Sequence, residues 1–378
     1  MMKYSKNLKK TIHLVYPLDL NKKINPWSIG NNIYFALKDK FLFKSYNWMS
    51  IEKIIPNRGD ILIGHAHSNP LTIFRRSIDS KEWSKKILIQ PYNEDPKQMS
   101  HLYDMVQKCD YFFAICGTYW FRRVNKSKFK SWKNKMVHID LALNQKQYPF
   151  IKKNFNKKSY RKFIYVGNDY SYNNYAKNLD YLKKLIKKIG PNKFASAGNK
   201  KILNEKYFGW LDFQKRSSLN IIKKYDFLIQ VSRHDANPSV VLESMSWGLI
   251  PIVTKGCGYN ELNKKLFISQ NNLNIACKKL NELQNIRYSD LKKIQKYNIN
   301  LLKSKFNWKK FQKKIRKFVN QKKIYKSKII YNKKEIKFFK YNSKSSKNYY
   351  MNLDILISVI KTNIKIYFLK KFFFFKIN

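Results

Sequence analysis

Residues 226–261 read Asp226-Phe-Leu-Ile-Gln-Val-Ser-Arg-His-Asp-Ala-Asn-Pro-Ser-Val-Val-Leu-Glu-Ser-Met-Ser-Trp-Gly-Leu-Ile-Pro-Ile-Val-Thr-Lys-Gly-Cys-Gly-Tyr-Asn-Glu261. The apolar run 227–231 has the length of a buried strand, and the polar residues Ser232 to Ala236 turn the chain after it. Asn237 is a good N-cap and Pro238 a good first helical residue, because the missing proline N–H has no partner to lose there. A helix is therefore expected from Pro238 or Ser239. Val240, Val241, Met245 and Trp247 supply its apolar face, Gly248 ends it, and 249–254 reads as a second strand. A strand-loop-helix-strand unit of this kind presents free N–H groups and the positive end of a helix dipole at residues 237–240, a natural place for a phosphate. Two carboxylates fall in the same corner, Asp235 before the helix and Glu243 inside it, eight positions apart. Glu243 can meet hydroxyls that a site for phosphate alone does not need.

This composite resembles the signature of the retaining glycosyltransferases of the GT-B fold, glycosyltransferase family 4 (group 1): Glu, seven residues, Glu, a small-residue helix, Gly-x-Pro and a strand. Asp235 stands in the place of the first glutamate and Glu243 in the place of the second, and the continuation Glu243-Ser-Met-Ser-Trp-Gly-Leu-Ile-Pro-Ile-Val follows the family closely. The resemblance implies an α/β chain with two Rossmann-like doubly wound domains facing a cleft, followed here by a basic C-terminal tail. It also implies transfer of a sugar from a nucleotide sugar to a glycan, lipid-linked or other acceptor with retention at the anomeric carbon, with no cofactor and no metal. Asp235 is then the catalytic residue beside the donor sugar and Glu243 the partner of the nucleotide ribose. Asn168 and Lys177 take the two places where the family contacts the donor diphosphate, Asn168 as a neutral replacement for a basic residue. The backbone N–H groups of Asn237, Ser239 and Val240 complete the donor side. On the acceptor side the candidates are Gly30, in the loop after the first strand, His65 and His67 at the end of another, and Tyr92 where the family usually has histidine.

The rest of the chain bounds this reading. A length of 378 residues with 44% hydrophobic content suffices for two ordinary cores. The formal charge of +55 favours a polyanion as partner, either nucleic acid or an anionic membrane. Abundant Lys, Asn, Ile, Tyr and Phe beside sparse Gly, Pro and Arg is equally what an AT-rich coding sequence produces. A different class of function, an inactive GT-B scaffold binding nucleic acid or an anionic surface, draws its support from charge alone. No RNA-binding signature accompanies it, which argues against nucleic acid. A phosphorylase-like or hydrolytic GT-B relative is the second enzyme reading, since it too would use the carboxylate pair. Cys109, Cys116, Cys257 and Cys277 lack metal-ligand spacing and suit a reducing compartment, so the expected location is the cytoplasm, including the inner face of the membrane. No signal peptide is read at residues 1–16, and no apolar stretch is long enough to span a membrane.

In chain order, strands are expected at 12–16, 60–67, 86–91, 109–116, 137–143, 162–167 and, weakly, 194–198, with helices near 32–39, 119–124, 178–189, 271–285 and 289–303. The lysine-rich stretch 152–161 reads as the linker, giving an N-terminal acceptor-side domain over 1–150 and a donor domain over 151–305. Residues 306–320 read as a terminal helix that packs back toward the N-terminal domain. Trp210, in a turn over 207–213, is a candidate for stacking on a base. His65 and His67 share a strand face, yet without a third ligand they read as hydrogen-bonded residues of cleft or core. Arg75 and Arg76 read as surface arginines. The tail 321–378 begins with a Lys, Asn, Ser and Tyr-rich stretch to 350 that is expected to be poorly ordered. It ends in apolar residues interrupted by Lys361, Lys365, Lys370 and Lys371, a pattern suited to the surface of an anionic membrane or to packing on the protein.

Overall fold

The computed structural model describes residues 9–18, 29–169, 174–321, 328–350, 357, 360–364 and 367, with backbone alone over 344–350. Pro26 to Ser28 of the first loop, Lys365, Lys370, Lys371 and the phenylalanines 372–375 lie outside the described residues. The chain forms two compact units. One comprises the residues up to Ala114, Arg123–Ile139 and the residues from Gln312 onward; the other comprises Ile115–Arg122 and Asp140–Phe311.

The first unit is built on a six-stranded sheet of β1 (Thr11–Val15), β2 (Leu42–Ser45), β3 (Ile61–Gly64), β4 (Lys85–Pro91), β5 (Tyr111–Ile115) and β6 (Met136–Ile139), in the order β2-β1-β3-β4-β5-β6. β1 runs parallel to both β2 and β3, and β3 to β4. β1, β3 and β5 are almost wholly buried, as strands covered on both faces must be. The strand order reverses between β1 and β3, and the carboxyl ends of strands at such a reversal are where open α/β sheets receive ligands. β2 was not legible in the sequence: it is an edge strand of four largely exposed residues, and its apolar run, Phe41 to Phe43, is too short to mark it. The first helix, Ile29–Leu37, starts three residues earlier than expected. Gly30 sits in it so close to the end of β1 that a Cβ would lie 2.9 Å from the carbonyl oxygen of Pro17.

The helix Trp308–Asn320 enters this unit from Gln312 onward. Its carboxyl end is capped by a buried lysine: Lys85 Nζ donates to the carbonyls of Val319 (2.6 Å), Gln321 (2.9 Å) and Phe318 (3.3 Å). An ammonium at this end satisfies orphan carbonyls and opposes the helix dipole. Phe318 packs edge-on against Tyr111 and Phe113 of β5.

The expectation of poor order over 321–350 is corrected for most of its length. Lys333–Tyr350 is a helix that packs on the short helical segments Pro96–Met99 and Ser100–Leu102. Two local causes were hidden by the polar composition. Asn332 and Glu335 form a reciprocal capping box, Glu335 N–H donating to Asn332 Oδ1 (2.9 Å) and Asn332 N–H to Glu335 Oε2 (3.0 Å). Phe339 is fully buried and stacks on Tyr103 and Trp132. One buried aromatic outweighs the polarity of its neighbours because it carries most of the apolar area of the contact. Phe339→Ala is expected to cost about 3–5 kcal/mol in urea unfolding, whereas Lys340→Ala, on the exposed side of the same helix, should stay within about 0.5 kcal/mol.

The second unit carries a five-stranded sheet, parallel throughout, of β7 (Phe163–Val166), β8 (Phe194–Ala197), β9 (Lys206–Tyr207), β10 (Phe227–Gln230) and β11 (Ile250–Val253), in the order β11-β10-β7-β8-β9. This is the Rossmann order, with its reversal between β7 and β10. Residues 152–161 are no free connector here. Lys152 and Asp226 form a buried ion pair (2.9 Å), and Asp226 also accepts from Asn156 N (2.8 Å), Asn156 Nδ2 (2.7 Å) and Lys162 N (3.0 Å). Arg161, 1% exposed, donates to the carbonyls of Gln284 (3.1 Å) and Ile286 (2.6 Å) at the end of the helix Leu273–Asn285. The lysine-rich composition concealed side chains that are consumed by buried acceptors. All four cysteines are buried and free.

Candidate functional site

The carboxyl ends of β7 and β10 lie side by side at the strand-order reversal of the second unit, and Gln230 Nε2 of β10 ties them by donating to the carbonyl of Val166 (2.7 Å). Beyond these ends run the loops that hold Asn168, Lys177 and Asp235. The main chain of Asp235 is gripped from two directions: its N–H donates to Gly256 O (2.9 Å) and its carbonyl accepts from Trp120 Nε1 (2.7 Å). Ala236 O next to it accepts from Gly117 N (2.9 Å), and Tyr119 N donates to Gly258 O (3.0 Å). These approaches demand glycine. A Cβ on Gly256 would stand 2.2 Å from Ser232 O, and one on Gly258, whose φ is +82°, would stand 2.2 Å from Ala236 O.

With its backbone fixed, Asp235 points its carboxylate at Lys177, whose Nζ is 2.5 Å from Oδ2; both side chains remain about one-fifth exposed. Burial alone would lower the Lys177 pKa, but the charge of Asp235, helped by Tyr165, outweighs it and holds the ammonium above its ordinary range. The ammonium thus faces the carboxylate in a place open to solvent. Lys177 ends the short helix Asn174–Lys177, and Asn178 follows in the left-handed region at φ 59°. Asn178 bridges the two loops, donating from Nδ2 to Val231 O (3.1 Å) and accepting at Oδ1 from Arg233 Nε (2.8 Å). An aromatic stack frames the pair: His234 lies between Trp120 (5.7 Å) and Tyr175 (6.0 Å), and Arg233 sits over the Tyr175 ring. Arg233, His234, Trp120 and Tyr175 were not singled out in the sequence as site residues. Gly117 after a buried strand was the one available signal for Trp120.

Glu243 lies in the helix Ser239–Trp247 and is 6% exposed. Burial pushes its carboxyl up to about 8, against an opposing hydrogen bond with Ser239. The expected N-cap is corrected: Pro238, with ψ 124°, is the capping residue and Asn237 precedes it. The reason is extended backbone at Pro238, whose carbonyl is anchored by Tyr259 Oη (3.0 Å). Asn237 and Val240 are both buried at this helix start, with Ser239 half-buried between them. Asn168 is half-buried at the end of β7. The structure thus brings Lys177 to Asp235 and Ser239 to Glu243, with Asn168 in the adjoining loop. Trp210 is 73% exposed in the loop after β9.

The acceptor-side candidates belong to the first unit. His65 follows β3 and packs against Trp48 (5.0 Å) and Tyr16 (6.1 Å). Burial, with His67 and Arg75 nearby, lowers its pKa to about 3; burial and Arg75 lower that of His67 to about 4. Both are neutral, and His67 Nδ1 accepts from Asn69 N (3.1 Å). Arg75 is not a surface residue as expected: it donates from Nε to His67 O and from Nη1 to both carboxylate oxygens of Asp104 (3.0 and 3.2 Å). Arg76 is exposed. Among the described residues no group of three His, Cys, Asp or Glu side chains could hold a metal ion. Tyr92 is fully buried between Phe112 and Phe129 and offers no surface to an acceptor; the strand register that suggested a loop position places it in the aromatic core.

The raised Glu243 pKa fixes a sign for stability. The folded protein keeps a proton that the unfolded chain releases near 4.5, so Glu243 contributes a loss of stability as pH rises from about 4.5 to about 8. Glu243→Gln should flatten that part of the profile of urea midpoint against pH. An unchanged slope would mean that Glu243 ionises normally.

No protein-family model matches the chain, and no curated protein matches it. Solved structures do. TarM aligns with a TM-score of 0.52 at 12% identity, over 77% of this chain and 58% of TarM, so the chain spans little more than half of that protein. Sucrose-phosphate synthase from Thermosynechococcus elongatus gives 0.54 at 10% identity, over 69% of this chain and 73% of the other. HepE of Anabaena, solved in complex with UDP and glucose, gives 0.53 at 9% identity, over 82% and 99%. The fold is that of the GT-B enzymes, two Rossmann-like α/β parts each organised on its own parallel sheet.

Proposed function

We propose that the chain is a retaining glycosyltransferase that moves a sugar from a nucleotide-sugar donor to a glycan or lipid-linked acceptor, in surface polysaccharide or glycoconjugate synthesis, without requiring a metal. The observation that carries this reading is the solvent-accessible Lys177–Asp235 ion pair at the strand-order reversal, followed by the buried Glu243 in the helix after it. Binding of UDP and glucose by HepE, which shares the fold, supports the donor class. Cytoplasmic residence belongs to the same reading and is supported by four free, buried cysteines.

The chemistry follows from charge. When the bond between the anomeric carbon and the diphosphate oxygen breaks, its electron pair leaves with the diphosphate. Lys177 and the N–H groups at the start of the helix Ser239–Trp247 are the groups that meet this charge, in the role a metal ion would otherwise take. Donor binding exchanges one anionic partner of Lys177 for another and frees the Asp235 carboxylate to face the donor sugar, while the backbone clamp keeps it in place. Glu243, protonated below about pH 8, can donate a hydrogen bond to a ribose hydroxyl as well as accept one. Aspartate at 235 in place of glutamate shortens the reach by one methylene and retains the charge.

Lys177→Ala should lower kcat/KM about 100-fold or more, Asp235→Asn should do likewise, and both variants should keep the wild-type circular dichroism spectrum. Wild-type turnover should survive a chelator, and the product should keep the donor's anomeric configuration by NMR. Folded variants of full activity, or an inverted product, would contradict the assignment.

A further inference from the structure

An apolar surface of the first unit lies far from the chemistry in sequence and is assembled from both ends of the chain. Residues 360–364 are helical, and Ile357, Ile360, Ile364 and Tyr367 are all exposed. Their spacing of three, four and three places them along one helix face. Asn363 fastens this segment to the loop after β2, donating from Nδ2 to Met49 O (3.1 Å) and accepting at Oδ1 from Ile51 N (3.2 Å). That loop itself exposes Ile51 at 43% and Ile55 at 88%. Single exposed apolar side chains are ordinary, but the Asn363 tether sets the exposed Ile51 beside this helical segment, and exposed isoleucines gathered in this way call for a partner.

The charge around the patch names the partner. Lys53, Arg58, Arg76 and Lys361 are exposed, and the Arg76 guanidinium donates to Ile51 O at the patch itself. Residues 357–378 contain lysines at 361, 365, 370, 371 and 376 and no acid. Among the described residues no helix is long and apolar enough to cross a membrane. Isoleucines that enter the headgroup boundary, flanked in sequence by cations that attract acidic headgroups, match an interfacial element. We infer that this face, Ile51 and Ile55 together with Ile357, Ile360, Ile364 and Tyr367, docks the protein on an anionic lipid bilayer. The inference does not depend on the donor site.

The test is co-sedimentation of the full chain with phosphatidylcholine vesicles and with vesicles enriched in phosphatidylglycerol. The wild type should bind the anionic vesicles and be released by salt. Ile55→Glu combined with Ile364→Glu should weaken that binding about tenfold or more, since each substitution removes a buried isoleucine from the lipid contact. Both positions are exposed, and an unchanged circular dichroism melt checks that the variant folds. Wild-type binding by the double variant would overturn the inference and leave only diffuse charge as the attraction. Equal binding to phosphatidylcholine would overturn it as well. So would a wild-type dimer in sedimentation velocity that the double variant abolishes, because the patch would then be a contact between two copies.

Discussion

Everything in the second unit depends on how closely three backbone segments approach one another at residues 117, 235–236 and 256–258. Gly117 and Gly258 let main chains pass within hydrogen-bonding distance where any Cβ would collide, and the resulting bonds hold Asp235 and Ala236 from both sides. The cost is conformational freedom lost by glycine on folding. The return is a carboxylate whose backbone cannot drift when its partner changes. Under the proposed function, in which donor binding takes Lys177 away from Asp235, the carboxylate needs this kind of rigid support.

Electrostatics then divides the two carboxylates. Asp235 is partly exposed and neutralised by Lys177, so its charge is stable and exchangeable. Glu243 is buried with no cation beside it among the described residues and resolves the cost of burial by holding a proton up to about pH 8. Two acids eight residues apart thereby meet burial differently, Asp235 beside a cation and Glu243 holding a proton with which it can donate a hydrogen bond. Deeper in the same unit, Lys152 and Asp226 solve the burial problem in the alternative way, with a full set of hydrogen bonds around a closed ion pair. Of these two pairs, Lys177–Asp235 is the one that reaches solvent.

Much of this was legible in the sequence because local signals agreed. The run 227–231, the turn, Pro238 and Gly248 each specify the same strand-loop-helix unit, and the doubly wound α/β class follows from it. Asp235, Glu243 and Lys177 were named together through the family resemblance, whereas the direct Lys177–Asp235 contact is a property of segments that meet only in the fold. What escaped reading was tertiary. The ring stack at His234 joins residues 120, 175 and 234, which no spacing rule connects. Lys85, Lys152 and Arg161 resemble surface charges in a lysine-rich chain until the carbonyls and the carboxylate they serve are in view. The helix Lys333–Tyr350 was hidden because its stability rests on one capping box and one phenylalanine, while composition averages over eighteen residues. Tyr92 shows the reverse error, a core residue read as a loop residue from its position after a strand.

The most direct measurement is calorimetric titration of nucleoside diphosphates and nucleotide sugars into the protein in the presence of a chelator, with Lys177→Ala in parallel. Binding of one nucleotide class by the wild type, weakened at least about tenfold in the variant, is the result this account predicts. Wild-type affinity in the Lys177→Ala protein, or no binding of any member of the panel, would contradict it.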